Sequence, residues 1–152
     1  MADVNAGRLS EASRIARFMG LRRWHEIDDL GLVEAVRKGL PVRTAEAVAQ
    51  KIDPDGRYLK STDIIPKSTL HRRQKSQLPL SKDESEKVFA LSKVLSEALR
   101  IYGGDTERCA HFLIRSHPML GLRAPLALAI ASIAGADLVL KLLAKADAGI
   151  AA

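Results

Sequence analysis

Apolar residues recur along most of the chain at helical spacing, and strictly alternating runs are missing. After a loose start over residues 1–9, Leu9, Ile15, Ala16 and Met19 mark one face of a short helix ending at Gly20. Ile27, Leu30, Leu32, Val33 and Val36 predict a second helix, closed by Gly39 and Pro41. Thr44 is placed to cap a third, with Ala45, Val48, Ala49 and Ile52 facing inward. Asp53-Pro54-Asp55-Gly56 is a turn. A short piece over residues 59–65 leads to Pro66, which suits the first position of a helix because its missing N–H has no intrahelical partner there. A basic segment follows, Lys67 to Lys75, and a short helix, a tight break and a basic second helix make the helix-turn-helix layout. Ser76-Gln77-Leu78-Pro79 reads as a linker.

The second half carries sharper punctuation. Ser81-Lys82-Asp83-Glu84 is a capping box, in which hydroxyl and carboxylate each satisfy a free backbone N–H. Val88, Leu91, Leu95, Ala98 and Tyr102 then lie on one stripe of a long helix that Gly103-Gly104 ends. Asp105 caps a helix carrying Cys109, Ala110, Phe112 and Leu113, stopped by Pro118. Pro125 opens a short apolar helix over residues 126–131, and Ser132 caps a last one with Leu138, Val139, Leu142 and Leu143.

A chain of 152 residues is one ordinary domain or two small ones. Aromatic residues are few (Trp24, two Tyr and three Phe), so the core must be built of Leu, Ile, Val and Ala, which favours packed helices. The expected fold is all-α: a helix-turn-helix region over residues 1–78 and a second helical domain over 79–152. Cys109 is the only cysteine, which rules out an internal disulfide and fits a buried thiol in a reducing cytosol. No apolar leader stands at the N-terminus, and the apolar stretch 124–136 is too short for a membrane span, so a cytoplasmic protein is expected.

The formal charge of +6 suits a polyanionic partner. It is uneven: residues 1–78 hold 15 Lys and Arg against 10 acids, and no acid stands between Asp63 and Asp83. The basic segment admits two readings. In one, Lys67, Ser68, Thr69, Arg72, Arg73 and Lys75 face DNA, with hydroxyls and ammonium groups on phosphate and arginine on guanine, while Leu70 anchors the helix. In the other it is a solvated face that keeps the protein soluble. Its place after a helix-break pattern favours DNA. Nothing favours catalysis. His25, His71, His111 and His117 lack metal-ligand spacing, no glycine-rich loop cradles phosphate, and Asp83, Glu84 and Glu86 complement a helix dipole. No catalytic residue, metal or cofactor is expected.

Leu80-Ser81, Glu84, Val88, Lys93-Val94-Leu95, Ala98 and Tyr102-Gly103 resemble the first helix of the Xre/MbcA/ParS toxin-binding domain. Ala110, Phe112-Leu113, Pro118, Leu120-Gly121, Arg123 and Pro125-Leu126 resemble that family's central signature. Ser132, Ala134-Gly135, Leu142-Leu143 and Gly149 resemble its closing pattern, so the resemblance runs over residues 80–149. Upstream, Leu30-Gly31-Leu32, Gly39-Leu40-Pro41, Ile65-Pro66 and Arg72-Arg73 are more loosely similar to the Xre-like region. Phe112 stands where the family has Trp, Leu122 and Ala124 where it has Gly and Thr, and Ile133 where Asp is common.

The resemblance implies an antitoxin that is not an enzyme. Its partner would be a RES-domain toxin that degrades NAD or transfers ADP-ribose, blocked by the last helix and tail lying over its NAD pocket. It also implies operator binding and a homodimer within a larger toxin–antitoxin assembly. Leu138, Leu142, Lys145, Asp147, Ile150 and the carboxylate of Ala152 are the expected toxin contacts. Without the resemblance, residues 147–152 read as a frayed end. A stand-alone helix-turn-helix regulator is the alternative function.

Overall fold

Twenty consecutive residues, Lys82–Ile101, form the helix around which the molecule is assembled. The computed structural model describes residues 9–151, and among these it contains nine α-helices and no strand. They are α1 (Glu11–Phe18), α2 (Asp29–Lys38), α3 (Arg43–Ile52), α4 (Ser61–Ile64), α5 (Lys67–Lys75), α6 (Lys82–Ile101), α7 (Thr106–Ile114), α8 (Pro125–Ala131) and α9 (Ile133–Ala151). The all-α fold expected from the sequence is the one found.

The capping box starts α6: the Ser81 hydroxyl accepts from Glu84 N at 3.1 Å, and the Glu84 carboxylate accepts from Ser81 N at 2.8 Å. Its expected stripe of Val88, Leu91, Leu95 and Ala98 is buried, but so are Ala90, Ser92, Val94 and Ser96 on other faces. Small residues make this possible. Ser92 turns its hydroxyl back to Val88 O at 2.7 Å, so no polar group is left unpaired there. α6 packs against α1, α2 and α3, and also against α7, α8 and α9. One hydrophobic core runs through both halves of the chain.

The segment just before α6 is stitched to the turn between α2 and α3. Leu80 N donates to Leu40 O at 2.9 Å, and Leu40 N donates to the buried Ser85 hydroxyl at 2.8 Å. Gly39 is essential to this crossing. Its φ of +106° suits glycine, and a Cβ there would strike the carbonyl oxygen of Leu80. A second close approach joins α8 to α9, where a Cβ on Gly135 would strike the carbonyl of Leu128. Ser132 caps α9 as expected, accepting from Gly135 N at 2.9 Å.

Four local expectations need correction. Leu30 and Val33 lie on the outside of α2, because the 100° step that turns Leu32 and Val36 into the core turns these two away. Thr44 is not a cap: it sits inside α3, buried, with its hydroxyl donating to Pro41 O at 2.8 Å. Pro66 stands just before the first residue of α5, one place earlier than expected. The chain beyond Asp147 is no irregular tail, since α9 continues to Ala151.

The two glycines of α9 should respond oppositely to alanine. Gly135→Ala forces two backbones apart and should cost about 1–3 kcal/mol. Gly149, with open space around its Cβ position, should gain about 0.5–1 kcal/mol as alanine. Urea unfolding of the two variants measures both.

Candidate functional site

The helix-turn-helix pair is α4 and α5. α4 is a single turn, held because Asp63 folds back to accept from Lys60 N at 2.9 Å. Ile64 and Ile65 are buried at the break, and Pro66 stands immediately before α5. Upstream, the Asp53 carboxylate fixes the approach by accepting from Tyr58 N at 2.6 Å and Leu59 N at 2.9 Å. Burial alone would raise the Asp53 carboxyl, but these backbone donors, with Arg57, outweigh it and hold the carboxyl below its usual range.

Leu70 is the buried anchor of α5, as expected. On the face away from it, Ser68, His71, Arg72 and Lys75 are exposed at i, i+3, i+4 and i+7. Lys67 is also exposed and Thr69 is half-buried. Arg73 belongs elsewhere. Its Nε donates to Glu84 at 2.9 Å, and its Nη2 to the other carboxylate oxygen at 3.4 Å, on the side that packs towards α6. Arg73, expected among the DNA-facing residues, has its guanidinium on Glu84 in this structure. His71 is the residue the sequence reading missed, although it lies three residues from Ser68 on the same helical face.

Glu84 thus serves α5 and α6 at once. Burial pushes its carboxyl up, but the Ser81 N–H and the Arg73 guanidinium more than offset this and hold it below its usual value.

At the far end of α6, α9 turns Gly135, Ala136, Val139 and Leu143 inward. Leu142 is only 8 % exposed, so it holds the helix to the core and leaves the outer face to others. Leu138, one turn earlier and only about 40° round the helix, is 46 % exposed, so the border of the buried face runs between the two. Leu138, Lys141 and Lys145 form an exposed row at i, i+3 and i+7. Lys141 was missed, and the spacing from Leu138 would have found it. Asp147 receives Arg100 Nη2 at 2.8 Å, while Arg100 also binds Glu97 at 2.6 Å. It therefore ties α9 to α6 rather than standing free. Ile150 lies within α9, but its side chain is outside the described residues, as is all of Ala152.

Residues 31–93 match the antitoxin Xre-like helix-turn-helix domain. Residues 98–149 match the antitoxin Xre/MbcA/ParS C-terminal toxin-binding domain. The chain belongs to the Xre/MbcA/ParS antitoxins. None of the curated proteins matches it. The helix-turn-helix match of this antitoxin includes α3, α4, α5 and the first half of α6, and the toxin-binding match includes α7, α8 and nearly all of α9. The junction falls inside α6, so residues 80–93, which resemble the toxin-binding domain in sequence, lie in the helix-turn-helix match. Both matched domains are those of a regulator that acts by binding. Among the described residues no helix is long and apolar enough to cross a membrane, and no three metal-ligating side chains gather.

The antitoxin should lose the Glu84 contribution in acid. A carboxyl held below its ordinary value adds stability that is fully present above pH 4.5 and fades as pH falls through its folded value. The difference in thermal midpoint between wild type and Glu84→Gln should therefore be constant near neutrality and shrink as the pH falls below 4.5. Calorimetry across that range checks it.

Proposed function

We propose that this antitoxin neutralises a RES-domain toxin, one that degrades NAD or transfers ADP-ribose, by laying α9 over the toxin's active site. The observation that carries this reading is the outer row of α9. Leu138, Lys141 and Lys145 are exposed within the toxin-binding match and are not needed by the core. A leucine followed along the row by two ammonium groups is an apolar anchor with a cationic flank on its C-terminal side, suited to a cavity built for an anionic dinucleotide. Ile150 and the Ala152 carboxylate extend the same reading to the end of the chain. Asp147 supports it indirectly by fixing the direction of α9 through Arg100.

The toxin supplies the chemistry and the antitoxin needs no cofactor. Co-expression with the RES-domain protein of the same operon should protect growth and cellular NAD. Removal of residues 147–152, or Leu138→Asp in the full chain, should weaken protection by about tenfold or more in the antitoxin level needed. Full protection by both variants would reject occlusion by α9.

The same reading gives α5 to operator DNA, with the antitoxin repressing its own operon in the cytoplasm as a homodimer within the toxin complex. Ser68, His71, Arg72 and Lys75 on its outer face, together with Lys67 and Thr69, are the residues that would meet the duplex. Arg72→Ala with Lys75→Ala should weaken operator binding and lower the salt slope by about one unit for each phosphate no longer neutralised. Arg73→Ala should instead lower the thermal midpoint, because it leaves Glu84 without its cation. Titrations on operator DNA at several salt concentrations separate these effects.

A further inference from the structure

Between α7 and α8 the chain makes a tight loop that displays apolar side chains. His117 N donates to Arg123 O at 3.0 Å, and Leu122 N and Leu120 N both donate to His117 O at 3.0 and 2.9 Å. Met119 N donates to Nδ1 of His117 at 3.2 Å. Leu120 is buried as the anchor. Met119 and Leu122, however, are 61 % and 72 % exposed. Leu122 also has φ +63°, a left-handed conformation that glycine adopts freely and leucine does not. The loop is therefore held by hydrogen bonds in a shape that presents a large apolar side chain to solvent, with no gain to the core.

The loop and the cleft beside it carry only basic charge, although Arg115 also borders a second cleft with Asp53, Asp55 and Glu107. No acid occurs between Glu107 and Asp137, whereas Arg108, Arg115 and Arg123 do. None of the three is in an ion pair among the described residues. His117 also lines a neighbouring cleft of about 540 Å³ formed with Tyr102, Arg108, His111, Phe112 and Arg115. Because Nδ1 of His117 accepts a backbone N–H, its neutral ring carries the proton on Nε2 and remains a donor. An apolar tip beside arginines and aromatic rings has the composition of a protein-binding hot spot, and it calls for an apolar pocket rimmed by carboxylates.

We propose that the loop from His117 to Arg123 is a second contact with the toxin, separate from α9, in which Leu122 and Met119 enter an apolar pocket bordered by acidic side chains. This rests on the reading that the partner is the toxin. It adds where partner choice is made: a pocket without acids would face unpaired arginines.

The test uses the full-length antitoxin and the purified RES-domain protein of the same operon, followed by surface plasmon resonance. Leu122→Gly and Leu122→Asn both suit a left-handed residue, so their thermal midpoints should equal or exceed that of wild type. Both should nevertheless dissociate from the toxin about tenfold faster. Arg115→Glu with Arg123→Glu should slow association and flatten its salt dependence. Unchanged dissociation of both Leu122 variants, with Leu138→Asp still impaired, would overturn the loop contact while leaving toxin binding by α9 intact. If wild type itself does not bind, the toxin reading falls and this inference with it. If the Leu122 variants break up a homodimer by sedimentation yet keep full toxin affinity, the loop serves a second copy and the proposal is wrong.

Discussion

Burying a helix on most of its circumference requires small residues wherever a neighbour comes close, and a partner for every polar group brought inside. α6 meets both conditions. Ala90, Ser92, Ser96 and Ala98 let the surrounding helices approach, and Ser85 and Ser92 have their hydroxyls paired. Everything else is arranged against this helix. The helix-turn-helix pair reaches it through Glu84 and Arg73, and α9 reaches it through Val139, Leu143 and the Arg100–Asp147 pair. Without α6 neither exposed face has a support.

The division of labour among side chains follows from that support. On α5, Leu70 and Arg73 attach the helix and the opposite face is left open. On α9, Leu142, Leu143 and Asp147 attach the helix, and Leu138, Lys141 and Lys145 are left open. Attachment and exposure thus alternate along single helices, and a residue's role depends on its place in the turn more than on its charge. Arg72 and Arg73 are neighbours of the same type with different tasks.

Features governed by a few adjacent residues were legible in the sequence. The Ser81–Glu84 capping box, the Ser132 cap, the glycine stop after Tyr102 and the Asp53 turn need no knowledge of distant neighbours. The stripe of α6 was legible because its period is regular. What escaped notice depended on partners far along the chain. Arg73 meets a carboxylate eleven residues away, and Arg100 meets one 47 residues away, so neither pairing could be read from local charge. Leu30 and Val33 looked inward because five apolar residues lay within ten positions, whereas a helix packed on one side buries only part of its surface. The small residues after Asp147 suggested a loose tail, yet alanine is the best helix former and simply prolongs α9.

A straight helix of this length spans about 30 Å. Because α6 crosses the junction between the two matched domains without a break, no hinge separates them there. The helix acts as a strut: whatever the two ends grip is carried at one separation and one bearing. In an assembly of several copies, that spacing comes from the pitch of a single helix, and a change in the reach of either end must be made on the surface beyond the strut.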